Sequence, residues 1–464
     1  MKQKLSMRSY IFLSSMLFGM FFGAGNLIFP IHMGQLAGRS FGAATVGFCI
    51  TGVGLPLLGI VAMGVSRSEG LFDLGMKVGK GFSYFFTCAL YLTIGPLFAI
   101  PRTATVSFQV GILPYVPEAQ RTLGLFVFSL LFFAVVLFFS LRPSGIMTWI
   151  GKILNPIFLF LLGILIIAVF VRPMGPVSAV EPSEAYLQHG FTTGLLEGYN
   201  TMDALASLAF GIILITEIRK LGVTEPAGIS LSTLKSGTLA VALMALIYGS
   251  LTYAGAQSGN VMAAAEDGGI AFHEIADYYF GSFGSVLLGV TITFACLKTA
   301  VGLVTSCATT FEEMFPKLAS YRSYAIGFAL FSFGLANVGL SRIISLSIPV
   351  LVFLYPLTIM LIFLCIIGGS FHYSRTVFCW TIGFTTVAAV FEFVRALPES
   401  LLGRAAAFTA SLPTVLQAPG LFFGTLKQLY EALPLASVGM GWALPAVAGF
   451  AAGLLAMAAG KRVQ

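Results

Sequence analysis

Apolar runs long enough to cross a bilayer, about 20 residues each, follow one another along almost the whole chain. They fall at roughly 8–37, 41–65, 82–112, 121–141, 147–171, 190–216, 228–257, 283–310, 321–338, 342–368, 373–396 and 436–460. Inside hydrocarbon every backbone polar group needs an internal partner, which leaves helices or a closed barrel; runs of this length read as helices. Composition agrees. Of 464 residues 58% are hydrophobic and 9% charged, where a soluble domain carries roughly 25% charged residues. An all-α polytopic membrane protein of about 12 transmembrane helices is expected, with membrane lipid as its surroundings. The net charge of +7 is read as loop charge and not as a nucleic-acid surface, because Lys and Arg gather in short cytoplasmic loops. With the N-terminus inside, 16 of them fall in inner segments and 7 in outer ones, which places both termini in the cytoplasm.

The first run contains a segment that resists helix formation, Gly19-Met-Phe-Phe-Gly-Ala-Gly-Asn-Leu-Ile-Phe-Pro30. Glycine costs about 1 kcal/mol and proline about 3 relative to alanine in a helix interior. A break at membrane depth is tolerated only where protein encloses it, and secondary transporters build their binding sites from such interrupted spans. An unwound turn over Gly23, Ala24, Gly25 and Asn26 frees the carbonyls of Gly19, Phe21 and Phe22. Together with the Asn26 side-chain oxygen they suit a hard cation such as sodium. The N–H groups of Ala24 and Gly25, opening the next half-helix, suit a carboxylate. Gly19 and Gly23 also form a GxxxG packing face, but packing alone leaves Asn26 and Pro30 unexplained.

A second interruption opens the sixth run, where Gly198-Tyr-Asn-Thr-Met-Asp-Ala-Leu-Ala-Ser-Leu-Ala-Phe-Gly211 puts Asp203 in mid-span. The offset of five spans is odd, so the second set of five is inverted relative to the first, the sequence sign of an inverted-repeat transporter. Helices 1–5 (about 8–171) and 6–10 (about 190–368) would form a five-plus-five core over residues 1–371. Residues 372–464 would add helices 11 and 12 and an outer loop.

A mid-membrane carboxylate is expensive and functional by default. Asp203 can hold a substrate ammonium, join a cation site or carry a proton; the plain alternative is a structural ion pair. Thr201 and Ser207 flank it with short hydroxyls. Lys298, in the eighth run, has three readings beside a structural pair: a partner for Asp203, a tethered positive charge in a cation site, or a titrating group. Arg102 reads equally as a gate charge facing an outer vestibule and as the mark of where the third span leaves the bilayer. Glu392 and Arg395 read as a local surface pair, and the six cysteines as small buried apolar residues. The stretch 258–282 is acidic and lid-like; 397–435 is a moderately amphipathic outer segment. No phosphate-binding lysine loop or metal-ligand spacing is present, so neither ATP-driven transport nor a membrane enzyme is indicated, and no obligatory protein partner is evident.

At these residues the chain resembles the bacterial branched-chain amino acid:cation symporters. The likeness rests on Phe22-Gly-Ala-Gly-Asn-Leu-Ile-Phe-Pro30, Pro101-Arg-Thr-Ala-Thr-Val-Ser-Phe108, Thr201-Met-Asp-Ala-Leu-Ala-Ser-Leu-Ala-Phe-Gly211 and Thr299-Ala-Val-Gly-Leu303, in order across most of the chain. This family is similar to the wider amino acid–polyamine–organocation superfamily with its five-plus-five inverted repeat. The resemblance implies uptake of leucine, isoleucine and valine across the bacterial inner membrane, coupled to sodium. It implies a first cation site at the Phe21 carbonyl and Asn26. A second would use the Gly19 and Phe22 carbonyls, Ala295 and Thr299. The substrate carboxylate would meet Ala24 and Gly25, with its side chain near Ala204 and Ser207. Lys298 departs from the small or hydroxylated residue that the resemblance implies there. That leaves one remaining sodium, or a proton, open as the coupling ion, and a proton-coupled carrier of another neutral amino acid is the alternative reading.

Overall fold

A computed structural model of the chain describes residues 5–68, 70–142, 146–397 and 430–461, and in it each apolar range above is largely helical. In chain order the helices are α1 (Met7–Phe21), α2 (Gly25–Ala37), α3 (Phe41–Cys49), α4 (Leu55–Ser66), α5 (Leu71–Met76), α6 (Lys80–Leu92), α7 (Ala99–Gly111), α8 (Arg121–Leu141) and α9 (Ile146–Val171). Then follow α10 (Glu184–Glu197), α11 (Asp203–Lys220), α12 (Pro226–Ser258), α13 (Gly268–Met314), α14 (Tyr321–Ala336), α15 (Leu340–Ile367), α16 (Arg375–Ala396) and α17 (Ala443–Lys461). Among the described residues seven helical stretches are by themselves long and apolar enough to cross a bilayer. Most of the outer segment 397–435 lies outside the described residues.

Both expected breaks are present. α1 ends at Phe21, and Phe22 turns extended (φ −73°, ψ 100°) before α2 begins at Gly25. α10 ends at Glu197 and passes through a tight turn, Gly198–Thr201, to Met202, whose left-handed φ of 62° directs the chain into α11 at Asp203. A left-handed backbone costs a non-glycine residue about 1–2 kcal/mol, so the surrounding packing holds this turn. A third interruption was not foreseen. Between α6 and α7 the chain runs through a wide turn, Thr93–Leu97, in which Gly95 leaves helical geometry (φ −99°, ψ −123°). A Cβ on Gly95 would lie 2.6 Å from Cys307 Sγ, so a side chain here would force that thiol of α13 to move.

Packing divides the chain into two compact units, residues 1–60 with 88–344 and residues 61–87 with 345–464. In the first unit small residues bring helices into backbone contact. A Cβ on Gly34 of α2 would sit 2.1 Å from the Thr252 carbonyl oxygen of α12, and one on Gly255 2.0 Å from that of Ile31. α3 and α10 meet the same way at Gly47 and Gly194. Such seams replace the hydrophobic driving force that lipid removes, and they anchor α2 and α10, the half-helices leading out of and into the two breaks. The acidic stretch after α12 is partly helical. Asp267 caps α13 by accepting from the N–H groups of Gly269 and Ile270, and α13 itself bends at Gly281 (φ 62°). This stretch is tied down from two sides. Gln35 accepts from Ala265 N–H at 3.2 Å, and Gln109 Nε2 donates to Asp267 at 2.7 Å.

In the second unit α16 packs on α17. The surface pair expected of Glu392 and Arg395 does not form. Glu392 is buried and accepts from the Tyr430 hydroxyl, while Arg395 donates to the Ala436 carbonyl. A buried carboxylate takes the nearest donor that shares its enclosure, and here that is a phenol. Cys296, Cys307 and Cys365 are buried as expected, but Cys379 is exposed.

Candidate functional site

The two breaks meet at one cluster of side chains. Asn26, in the first turn of α2, donates through Nδ2 to Asp203 Oδ2 at 2.5 Å, and Asp203 opens α11. The Tyr248 hydroxyl of α12 donates to the same carboxylate oxygen at 3.1 Å and also receives from Asn26 Nδ2. Tyr248 is fully buried and Asp203 only 3% exposed, so the carboxylate is held by donors in a water-poor setting where such bonds are strong. Tyr248 drew no attention in the sequence because a tyrosine in an apolar span is unremarkable there; its hydroxyl is what ties α12 to both breaks.

Arg102 is the positive counterpart. It is 3% exposed, so it does not face an open outer vestibule, and that expectation is corrected. α7 carries it inward because the bend at Gly95 brings the start of that helix to the breaks. Its guanidinium donates to the Asn200 carbonyl at 2.8 Å, lies over the Phe29 ring at 4.9 Å, and comes within 3.5 Å of the Cβ position of Gly25. Asn200 in turn donates to Glu197 at 2.9 Å, so a second acid that the sequence reading passed over steadies the turn that presents Asp203.

These groups enclose a cavity of about 50 Å³, bounded by Gly23, Ala24 and Gly25 from the first break, Asp203 from the second, Arg102 from α7 and Thr299 from α13. Apolar walls come from Ile94, Phe210 and Leu303. The α11 residues facing it are Asp203, Ala206 and Phe210. Ala204 and Ser207 are fully buried elsewhere in the packing, the Ser207 hydroxyl returning to the Ala204 carbonyl at 2.7 Å. A carboxylate on one side, and a guanidinium with a half-helix N-terminus on the other, match the two charges of an amino acid zwitterion. Pockets that enclose small ligands usually run to roughly 300–1,000 Å³, so this one must open to admit an amino acid.

The residues expected to hold cations divide into two groups. At the first of the expected sites Asn26 Oδ1 accepts from Gly23 N–H at 2.9 Å; with two lone pairs on a carbonyl oxygen, it keeps one for a cation. The second group does not fit. Gly23 N–H, the helical partner of the Gly19 carbonyl in an unbroken helix, is turned to Asn26, and Lys298 Nζ lies 3.5 Å from the Gly19 oxygen instead. The Thr299 hydroxyl donates to the Ala295 carbonyl at 3.1 Å. A space of only about 20 Å³ remains against Gly19, Phe22 and Ala295. Two unit charges about 5 Å apart repel by about 3 kcal/mol at an effective dielectric of about 20, so sodium and this ammonium exclude each other there. Lys298 therefore caps α1, where the sequence had left Asp203 as one of its partners. Among the described residues no group of three or more His, Cys, Asp or Glu is placed to hold a metal ion.

A family profile described as branched-chain amino acid transport protein matches residues 6–459. The chain is similar to the branched-chain amino acid permease BrnQ of Lactobacillus delbrueckii subsp. lactis, 47% identical over 452 residues and covering 97% of each protein. It is similar to BrnQ of Bacillus subtilis (strain 168), 39% identical over 450 residues with the same coverage. Against BrnQ of Escherichia coli (strain K12) it is 36% identical over 447 residues, 96% of this chain and 95% of that protein. Among solved structures, the inward-facing conformation of Mhp1 superposes with a TM-score of 0.61 at 13% identity, over 98% of this chain and 91% of that one. A closed conformation of Mhp1, a nucleobase-cation-symport-1 family transporter, gives 0.55 at 14% identity, over 83% and 87%. At such identities the likeness is one of fold, and it agrees with the all-helical transporter architecture read from the sequence.

Proposed function

The chain belongs to the branched-chain amino acid transport protein family, and from that premise we propose that it imports leucine, isoleucine and valine by symport with a cation, sodium at the Phe21–Asn26 site. It is a multi-pass membrane transporter and not an enzyme. The observation that carries the reading is the joining of both helix breaks at Asp203, opposite Arg102 and the N-terminus of α2. The substrate ammonium goes to Asp203. Its carboxylate goes to the Ala24 and Gly25 N–H groups with Arg102 beside them. The aliphatic side chain lies against Ile94, Phe210 and Leu303. Such a wall discriminates weakly, since one methylene is worth about 1–3 kcal/mol, which suits a carrier of three similar aliphatic amino acids.

With both termini cytoplasmic, α1 and α11 are the inner half-helices and α2 and α10 the outer ones. The core over residues 1–371 then alternates access by moving half-helices about the two breaks while the site stays at their junction. A bound sodium ion would supply positive charge next to Asp203 and so favour the arrangement in which that carboxylate is ionised. The test is radiolabelled leucine uptake into proteoliposomes with sodium and proton gradients imposed separately. An inward sodium gradient should drive leucine above its equilibrium level. Uptake indifferent to both gradients would contradict symport, and uptake driven by protons alone would contradict the choice of ion.

A further inference from the structure

We propose that the Lys298 ammonium is a tethered cation standing in for a free ion at the end of α1, so that this chain couples each leucine to no more than one sodium. The inference rests on the transport reading above and narrows its coupling.

Three observations carry it. The break turns the Gly23 N–H to the Asn26 side chain, which leaves the Gly19 carbonyl without the partner an unbroken helix would give it. Lys298, partly buried on α13, directs its ammonium to that same oxygen at 3.5 Å, at the C-terminal end of α1 where the helix dipole favours positive charge. The space beside Gly19, Phe22 and Ala295, about 20 Å³, is otherwise lined by apolar side chains such as Leu27, Leu159 and Ile292 and offers a free cation no side-chain oxygen. A free cation at such a carbonyl has to shed water and find several oxygen ligands. The ammonium has its ligand already and cannot diffuse away. The charge that joins α1 to α13 is thus covalently part of the protein, and a second ion would meet the repulsion of the ammonium at the carbonyl they share. The Asn26 side chain is bonded to Asp203 and not to Lys298, which leaves it as a ligand for the one remaining ion.

The test compares the intact protein with Lys298→Thr and Lys298→Arg in proteoliposomes. It reads sodium-22 and labelled leucine taken up together, and the sodium-concentration dependence of leucine binding. The intact protein should take up no more than one sodium per leucine. Lys298→Thr, which removes the charge and adds a hydroxyl ligand, should steepen the sodium dependence by about one further ion. Lys298→Arg keeps the charge and should leave it unchanged. Two sodium ions per leucine in the intact protein would overturn the proposal even if no variant folds, and so would an unchanged sodium dependence in a Lys298→Thr protein that still binds leucine. Leucine counterflow, which needs no gradient, separates the two levels: its absence in the intact protein would strike the transport reading, whereas normal counterflow with two sodium ions would strike only the role of Lys298.

Discussion

Asn26 and Asp203, 177 positions apart, share a hydrogen bond of 2.5 Å, and through it the first break in the chain is joined directly to the second. Neither residue has this partner unless both spans come apart at the same depth. The bond explains why a glycine-rich turn in α1–α2 and an acid at the head of α11 belong to one site. It also ties the position of the Asp203 carboxylate to that of the first turn of α2.

Removing the charge should therefore weaken substrate far more than it weakens the fold. In Asp203→Asn the amide still packs and still meets Tyr248, but it no longer attracts an ammonium. Hydrogen bonds to charged groups are worth about 1.5–3 kcal/mol, so leucine affinity should fall roughly ten- to hundredfold. Equilibrium binding on purified protein of unchanged melting temperature checks this; unaltered affinity would make the carboxylate structural.

Tyr248 should act through Asp203 rather than on substrate directly. Tyr248→Phe deletes one of the donors holding the carboxylate while keeping the ring that packs on Phe48 at 5.3 Å. A loss of about 1 kcal/mol, or roughly fivefold in leucine affinity, is expected. Tyr248→Ala should lose stability as well, read as a lower melting temperature in detergent.

Arg102 should not tolerate lysine. The guanidinium reaches the Asn200 carbonyl and stacks over Phe29 at the same time, a planar arrangement that an ammonium cannot reproduce. Arg102→Lys should raise the leucine dissociation constant about tenfold. It should also weaken discrimination against leucinamide, which lacks the carboxylate; both are measured by competition for labelled leucine.

The seam between α2 and α12 should be intolerant of any side chain. At Gly255 a Cβ meets the Ile31 carbonyl oxygen at 2.0 Å, and backbone cannot yield as a flexible side chain does. Gly255→Val should cost at least the 1–3 kcal/mol typical of overpacking, seen as a drop of several degrees in melting temperature. The matching change at Gly383, where a Cβ meets nothing within 4 Å, should leave stability nearly unaltered.

Much of this architecture was legible because hydrocarbon permits so few solutions. Gly23, Gly25, Asn26 and Pro30 announce a break, since no comfortable span contains them, and Asp203 announces the second site by its cost at that depth. The bend at Gly95 was not foreseen although Gly95-Pro96 is a breaker pair in mid-span, because no charged residue or amide adjoins it to mark it as a site. Met202 gave no sign at all: the left-handed turn falls on a residue that does not favour it, imposed by the seams that fix α10. Which side chains a bend will enclose is likewise not written in the sequence, and that is why Arg102 could be read as a vestibule charge when protein surrounds it. Lys298 stands out in the sequence as a charge in mid-span, but its partner is a backbone carbonyl, which carries no letter of its own.

The most direct measurement is a structure of the purified protein determined with leucine bound. The leucine should lie between the two breaks in an enlarged form of the present cavity, its carboxylate against the Ala24 and Gly25 N–H groups and Arg102, and its ammonium on Asp203. Leucine found instead among the acidic residues of the wider pocket near Glu274 and Asp277, with the junction of Asn26 and Asp203 intact and empty of substrate, would contradict the assignment of the site.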